Sequence, residues 1–334
     1  MNYLQKCPVC TGYQFKHFRK YFESYLVECK NCKFVFMNPI PTEDWINRYY
    51  QQSSLLDENN EHNDWWGSPG SAQERVLEFK YPKSFERRTN EMLNSIEEYI
   101  KPGKMLDIGC SLGTLLKVAK GRGWETTGIE LAREVSKYSH EKYGLDIYTS
   151  DLLELGLKEN SFDCITMVHV LEHLTNLHEY MNEVYRLLKP DAILYIRVPN
   201  LNSLKYKLAG QYYFLHVSEH ISFFSIDSLS QLLRMNGFTI LQGYTHDITN
   251  DPYFYFGIVK RIKMDNILFK ILGCDKKNWK EQEKNIENNR AYNTSNSSVY
   301  KNINRISRFL NLFWPKKLVS VSRMGDELII IGKK

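Results

Sequence analysis

The chain lacks any run of 18 apolar residues, and its first residues lack the apolar core of a signal peptide. A membrane-spanning helix needs about 20 such residues and export needs that core, so we expect neither, and we expect the protein in the cytoplasm. At 334 residues, 43% of them hydrophobic and 25% charged, the composition is that of an ordinary globular protein. The length leaves room for one α/β core and a smaller unit.

Strong charge of one sign is also absent, since the net charge is only +5. The basic surplus is C-terminal: residues 258–334 carry 17 Lys or Arg against 7 Asp or Glu. A solvated face explains such a surplus, and attraction to a phosphorylated substrate or an anionic membrane is the alternative. Residues 303–317 combine helical apolar spacing with basic neighbours, which predicts a helix that caps the sheet, forms a dimer contact or lies on a membrane.

Cysteine is scarce, but four of the seven cysteines form two C-x-x-C pairs separated by 18 residues. This spacing is typical of a closed, tetrahedral and therefore structural zinc site. Redox dithiols or disulfides are the alternative, which the expected cytoplasmic location disfavours. The predicted zinc ligands are Cys7, Cys10, Cys29 and Cys32. A zinc ribbon is therefore predicted over residues 1–40, with aromatic side chains that dock on the next domain because 40 residues cannot build a core alone.

A glycine-rich turn follows the apolar strand that ends near Ile108, but it lacks the glycine spacing of dinucleotide-binding proteins. Those proteins need glycines at 109, 111 and 114, whereas this chain has Gly109, Ser111 and Thr114. An acid, Glu130, lies 21 residues beyond the first glycine, where a second parallel strand ends and presents a carboxylate to a ribose. The pattern indicates a nucleotide-sized pocket without a pyrophosphate site.

This turn resembles motif I of class I S-adenosylmethionine methyltransferases, D-x-G-x-G-x-G, with serine in place of the middle glycine. The resemblance covers about residues 80–245 and implies S-adenosylmethionine as cofactor. It implies that Glu130 holds the ribose hydroxyls, that Asp151 lies near the adenine amine with Leu152 on the ring, and that the backbone at His169 meets the amine. The implied cofactor-binding residues are Asp107, Gly109, Ser111, Gly113, Glu130, Asp151, Leu152 and His169.

The same resemblance implies a Rossmann-like α/β fold, with a seven-stranded methyltransferase sheet, the N-terminal zinc ribbon and a helical insertion before the last strand. After the strand before Gly109, strands are predicted at 126–129, 146–149, 162–168, 192–198, 238–245 and 327–331, and helices at 84–100, 176–188 and 226–236. Residues 199–224 are predicted to be a long loop. The predicted units are the ribbon 1–40, a connector or lid 41–80 containing Trp65 and Trp66, and the methyltransferase domain 81–334 with its insertion 246–326.

Two clusters of histidines and acids follow the predicted fourth and fifth strands. The first, His169 to His173, spells H-x-x-E-H, which on a helix is typical of a metallopeptidase. At a strand end the two histidines are not one helical turn apart, so the sequence does not favour a metal shared by them. The alternatives are that His173 faces the substrate, or that Glu172 only contacts a helix start and His173 has no role.

The second cluster, Glu219 to Ser225, resembles a segment of methyltransferases from sugar and cell-surface polysaccharide pathways. It is most similar to the deoxysugar C-methyltransferases, which also carry a four-cysteine zinc module. Because Val217 and Ser218 stand where those enzymes have Tyr and His, O-methylation is the expected reaction. The expected acceptor is a hydroxyl of a sugar-phosphate, a nucleotide-linked sugar or a glycan precursor, attacked in line at the methyl group.

A hydroxyl is a poor nucleophile, and histidine is the natural base near neutral pH. His220 is the predicted base, with Glu219 or Glu172 orienting it and His173 as the alternative base; a buried structural histidine is the competing interpretation for His220. Two other functions stay open. One is a ribosomal or transfer RNA methyltransferase, which the weak basic excess of residues 1–50 disfavours. The other is a non-catalytic adaptor, which the retained acids disfavour.

Overall fold

A computed structural model of the chain describes residues 2–21, 24–42, 78, 82–209, 220–246 and 323–334. Most of the predicted connector 41–80 (residues 43–77 and 79–81), the residues 210–219 that include Glu219, and residues 247–322 of the predicted insertion 246–326 lie outside the described residues. The predictions of an aromatic lid and of a basic helix at 303–317 therefore stay predictions. In the described part of the chain, no helix is long and apolar enough to cross a membrane.

The main sheet has seven strands in the order β10-β11-β8-β7-β4-β5-β6. The neighbours from β8 to β6 pair in parallel, and β11 pairs antiparallel with both β8 and β10. This confirms the predicted α/β fold with its last strand between the fifth and sixth. The strands are β4 Lys104–Ile108, β5 Glu125–Ile129, β6 Asp146–Tyr148, β7 Phe162–Val168, β8 Leu188–Pro199, β10 Thr239–His246 and β11 Glu327–Lys333.

Helices follow the parallel strands, as right-handed crossovers require. Each presents an apolar stripe to the sheet, as Leu115, Leu116 and Ala119 do in α2. Local signals fix their ends: a capping box of Ser225 and Ser228 begins α6, and Gly144 in a left-handed conformation ends α3. The helices are α1 Pro82–Glu97, α2 Thr114–Gly121, α3 Arg133–Tyr143, α4 Leu177–Leu187, α5 Leu204–Ala209 and α6 Ile226–Met235.

Two predictions about the region around the fifth strand were wrong in part. The loop predicted over 199–224 contains the short helix α5. The first residue of this helix is held by a hydrogen bond from Leu204 N to Met324 O. The strand predicted over 192–198 begins at Leu188, directly after α4, and includes Pro190. Asp191 has a φ of +66°, and the register with β7 shifts between Phe162 and Cys164. A proline is tolerated at such an irregularity.

A second, four-stranded sheet joins the N-terminal segment to the methyltransferase-like part of the chain. Its order is β1-β2-β3-β9, with β1 Phe15–Tyr21, β2 Ser24–Cys29, β3 Val35–Met37 and β9 Ser222–Phe223. The last strand comes from the segment between β8 and α6, and it pairs antiparallel with β3. The ribbon sheet is therefore completed by residues almost 190 positions further along the chain.

Aromatic side chains pack in the junction between the two sheets. Phe34 and Phe36 are fully buried, their rings stack at 5.7 Å, and Phe34 lies 5.1 Å from Phe224. These residues share one hydrophobic core with strands of the main sheet such as β7 and β8. Burial of side chains of this size stabilises the junction by roughly 2 kcal/mol each. The predicted docking of ribbon aromatics is thus present, although Tyr25 remains 48% exposed.

Candidate functional site

The glycine turn after β4 forms the first half of the site. Gly109, Ser111 and Gly113 have φ values of +74°, +50° and +76°, a left-handed conformation that is costly for any residue with a Cβ. A Cβ on Gly109 would lie 2.6 Å from Cγ2 of Val170, so the turn packs directly against the loop after β7. Only glycine allows this close approach.

Carboxylates surround the turn and accept its backbone and hydroxyl hydrogens. The buried Glu130 accepts from Ser111 N at 3.1 Å and from Ala132 N at 2.9 Å. Glu78, also buried, accepts from Ser111 Oγ and from Thr114 N, both at 3.3 Å. Glu78 was missed in the sequence because nothing local marks it, whereas Glu130 follows a predicted strand. The resulting edge is rich in negative charge.

Asp107 lies beneath the turn and is fully enclosed. It accepts a hydrogen bond from Thr166 Oγ1 on the neighbouring strand β7 at 2.6 Å. Burial, together with the charges of Glu78 and Glu130, raises the pKa of Asp107 to about 7, although the Thr166 hydrogen bond opposes the shift. The carboxyl is therefore half protonated near neutral pH.

The next two predicted cofactor residues lie in the loop after β6. Asp151 accepts from Leu153 N at 2.9 Å and from the hydroxyl of Tyr180 on α4. Leu152 is buried in the main core and begins the short 3-10 helix that Asp151 caps. The two residues therefore stand at the same carboxyl edge of the sheet as Glu130, since β4, β5 and β6 run parallel.

The second half of the site is a cluster of Glu172, His173 and His220. One carboxylate oxygen and one ring nitrogen from each histidine all lie within 4.8 Å of one another. The two imidazole rings meet edge to face, with centroids 4.9 Å apart. Glu172 and His173 come from the 3-10 turn Leu171–His173 after β7, and His220 comes from the segment before β9. The structure thus brings together three of the four predicted catalytic residues.

Backbone hydrogen bonds from the ribbon hold this cluster in place. Ile221 N donates to Glu172 O at 2.9 Å, and Met37 N of β3 donates to Ile221 O at 2.8 Å. The residue next to His220 is therefore clamped between the loop after β7 and the ribbon. No single segment of the chain builds this half of the site alone.

His169 links the cluster to the last strand. Its φ is +55°, its Nδ1 lies 3.1 Å from Glu172 Oε1, and its Nε2 lies 3.0 Å from Glu327 Oε1. Burial by itself raises the pKa of Glu172, but the His169 hydrogen bond and the charges of His173, His169 and His220 together hold it below its usual range. The carboxylate of Glu172 is therefore ionised at neutral pH.

Glu327, the first residue of β11, is a buried anion with cationic neighbours. It accepts from Arg88 Nη2 of α1 at 3.0 Å, in addition to its contact with His169. Burial raises its pKa, but the charges of Arg197 and Arg88 outweigh burial and leave the pKa well below the usual range. Neither Glu327 nor Arg88 was predicted as a site residue. Their partners lie up to 239 positions away, so no spacing rule reveals them.

The four ribbon cysteines also converge. Their Sγ atoms lie within 4.8 Å of one another, with Cys7 to Cys32 and Cys10 to Cys29 each at 3.5 Å. A zinc ion with tetrahedral thiolates at about 2.3 Å places its sulfurs about 3.8 Å apart, so the donor set fits that ion. The hydrogen bond between the thiol groups of Cys7 and Cys32 lowers the pKa of Cys32.

Residues 80–243 match a family model described as a methyltransferase domain. The ubiquinone biosynthesis O-methyltransferase of Glaesserella parasuis is 36% identical over 115 residues, 31% of this chain and 49% of that protein. The norajmaline N-methyltransferase of Rauvolfia serpentina is 33% identical over 106 residues, 29% of this chain and 36% of that protein. A SAM-dependent methyltransferase from Archaeoglobus fulgidus aligns with a TM-score of 0.48 and 21% identity, covering 78% of this chain and 98% of that one.

The fold and the glycine-turn edge therefore define a Rossmann-like α/β domain of the methyltransferase class. Residues 80–243 match a methyltransferase domain, and the predicted methyltransferase class is confirmed. The chain spans about half the length of one curated relative and about a third of the other, and these two relatives methylate different atoms. The family match begins at residue 80 and does not include the four cysteines.

Proposed function

We propose that the chain transfers the methyl group of S-adenosylmethionine to a hydroxyl of a sugar-phosphate, a nucleotide-linked sugar or a glycan precursor. The observation that carries this proposal is the contact between the two halves of the site. The glycine turn packs on Val170, which lies two residues before Glu172, so a methyl donor at the turn is next to the Glu172, His173 and His220 cluster.

The residues at the turn fit this donor. S-adenosylmethionine supplies an electrophilic methyl group on a positively charged sulfonium. Asp107, Glu130 and Glu78 provide negative charge there, and the glycine positions leave space that a Cβ would fill. Glu130 is proposed to exchange its present hydrogen bonds for ribose hydroxyls, with Asp151 and Leu152 beside the adenine.

The acceptor half aligns the hydroxyl and assists the loss of its proton. The acceptor oxygen forms the new bond to carbon, the electron pair of the broken carbon–sulfur bond stays on sulfur, and the hydroxyl proton passes to a base, either a histidine of the cluster or a water molecule beside it. Alignment of this kind supplies much of the rate enhancement in displacements. The sugar class rests on the resemblance of the Glu219 to Ser225 segment, of which His220 to Ser225 are described.

A zinc ion in the ribbon is part of the proposal. The fit of the four thiols supports it, and a structural zinc supplies the folding free energy that a unit of this size lacks. Thiols kept reduced for zinc are consistent with the proposed cytoplasmic location. The ribbon contributes to the function by holding Ile221, and with it His220, through the pairing of β3 with β9.

The proposal is tested in two measurements. Isothermal titration measures S-adenosylmethionine binding to the full chain, and Glu130→Gln is expected to weaken it on the order of 10-fold or more, because charged hydrogen bonds contribute about 1.5–3 kcal/mol. Glu154→Gln, on the loop after β6, is the control. A labelled-methyl screen against nucleotide-linked sugars then identifies the acceptor. No binding of the donor would leave the adaptor function, and labelling of RNA instead of sugars would replace the acceptor class.

A further inference from the structure

The Glu172, His173 and His220 cluster has the composition of a metal site as well as that of a base. One ligand atom from each residue lies within 4.8 Å of the other two. Two imidazoles and one carboxylate form the set that holds divalent transition-metal ions with coordination positions left open. Glu172 is 1% exposed and His220 is 8% exposed, so both ligand groups are withdrawn from solvent.

The carboxylate of Glu172 is only half satisfied. Oε1 has the hydrogen bond with His169, whereas the buried Oε2 has no hydrogen-bond partner among the described residues. A buried carboxylate oxygen without a hydrogen-bond partner is costly, and more so than a neutral polar group. Neither neighbouring imidazole supplies a hydrogen to it, although one nitrogen of each lies within 4.8 Å of a Glu172 carboxylate oxygen. A bound cation is the partner that this arrangement lacks.

The surroundings of the cluster are those of supported metal ligands. Outer residues that hold a ligating carboxylate or imidazole fix its orientation and tune its affinity. Here His169 holds Glu172 Oε1 and is itself held by Glu327, and Ile221 N holds the backbone of Glu172. Ile221, the residue after His220, is held by the ribbon, because Met37 N donates to Ile221 O.

We infer that Glu172, His173 and His220 bind one divalent first-row transition-metal ion, distinct from the ion of the four cysteines, at the acceptor half of the site. Imidazole ligands favour such ions over Mg²⁺ or Ca²⁺. This inference rests on the proposed function only for its role in the reaction. In that role the ion binds the acceptor oxygen, both histidines are ligands and not bases, and the hydroxyl proton passes to water before the oxygen attacks the methyl carbon.

For the test, weakly bound metals are first removed from the full chain with a chelator. The chain is then titrated with Mn²⁺ alone, and the paramagnetic resonance signal of the free ion measures binding. Mn²⁺ is chosen because four thiolates bind it poorly. The wild-type chain is expected to bind one Mn²⁺. Glu172→Gln and His220→Ala are expected to weaken this binding by at least about 10-fold, as even the loss of outer residues does in metal sites.

Glu179→Gln is the matched control, because Glu179 is exposed on α4 and makes only a local contact with Asn176. His173→Gln gives a second ligand variant at a half-buried position, in case the buried substitutions prevent folding. Absence of Mn²⁺ binding in the wild type, or unchanged binding in both Glu172→Gln and His173→Gln, overturns the inference. Titration of the same samples with S-adenosylmethionine separates the two proposals. Donor binding without Mn²⁺ binding would rule out only the metal site. Mn²⁺ binding without donor binding would rule out only the proposed function.

Discussion

The two halves of the candidate site, the proposed donor half at the glycine turn and the proposed acceptor half at Glu172, His173 and His220, are built in opposite ways. The donor half comes mainly from one short stretch: β4, its glycine turn and the end of β5, where Glu130 accepts from Ser111 N only 19 positions away. The acceptor half joins the loop after β7, the segment before β9, the first residue of β11 and, through β3, the N-terminal ribbon. A local site survives changes elsewhere in the fold, whereas an assembled site fails when any contributor moves.

The two halves also differ in the protonation of their carboxylates. Asp107 is buried among acids, and its pKa is raised to about 7. Glu172 and Glu327 are equally buried but face histidines and arginines, which hold their pKa values low. Burial alone therefore does not decide the charge of a carboxylate in this protein; the sign of its neighbours does.

Disruption of the ribbon is expected to have the largest effect, because it changes the acceptor half and leaves the donor half intact. Cys29→Ser removes a buried thiol of the proposed zinc site, and with it the support that β3 gives to β9. We expect loss of bound zinc and a decrease in acceptor methylation on the order of 100-fold, because small displacements of reacting groups have effects of that size. Donor affinity is expected to stay unchanged. Cys164→Ser, at a buried cysteine of β7, is the control; an equal loss of donor binding in Cys29→Ser would show that the halves are not separable.

The next largest effect is on stability, through Asp107 in the donor half. Its raised pKa means that the folded chain retains a proton which the unfolded chain has lost between about pH 4 and pH 7. Stability therefore falls as the pH rises through that window, by about 4 kcal/mol in total. Asp107→Asn resembles the neutral carboxyl, so we expect a variant that equals the wild type near pH 4 and exceeds it at pH 8.

Denaturant unfolding across this pH range, without added donor, measures the difference. Asp146→Asn, at an exposed position of β6, is the matched control and is expected to show the wild-type dependence on pH. If Asp107→Asn keeps the wild-type slope between pH 4 and pH 7, Asp107 is not the group responsible.

A smaller effect is expected at His169, which contacts Glu172 of the acceptor half and holds its carboxylate in position. His169→Gln removes the connection between Glu172 and Glu327. We expect kcat to fall about 10-fold, which is typical for loss of an outer supporting residue, with the KM for the donor unchanged. His140→Gln on α3 is the control. A rise in the donor KM with constant kcat would instead assign His169 to the donor half, as the sequence predicted for its backbone.

The smallest effect is expected at Ser111, the irregular position of the glycine turn. Its φ of +50° is unfavourable for serine, and its hydroxyl makes only a long contact of 3.3 Å with Glu78. Ser111→Gly is expected to raise the free energy of unfolding by up to about 1 kcal/mol without weakening the binding of S-adenosylmethionine. Thermal unfolding measures this. Ser150→Gly is the control, because Ser150 has no positive φ, and this variant is expected to lower stability. The same loss in Ser111→Gly would mean that the stabilising contact of the Ser111 hydroxyl is larger than the backbone strain at this position.

Prediction from the sequence succeeded where contacts are local or periodic. The seven strands of the main sheet and the helices α1, α4 and α6 were predicted from apolar periodicity and capping residues with ends within a few residues of those observed, whereas β9 and α5 were not predicted. Cysteine spacing anticipated that the four thiols meet. The junction of ribbon and main sheet was anticipated only as aromatic docking; the pairing of Val35 with Phe223 has no signal in a two-residue strand.

The sequence by itself determined the α/β class and placed the glycine turn and Glu130 at one edge of the sheet, because a strand, a glycine turn and an acid about 20 residues on are fixed by backbone geometry within one βαβ unit. Only the tertiary structure decided which distant charges reach the two halves of the site. Glu78, Arg88 and Glu327 reach their partners across the fold, and His220 reaches Glu172 because the ribbon holds the segment next to it. Such convergence depends on packing over long sequence separations, which no local pattern records.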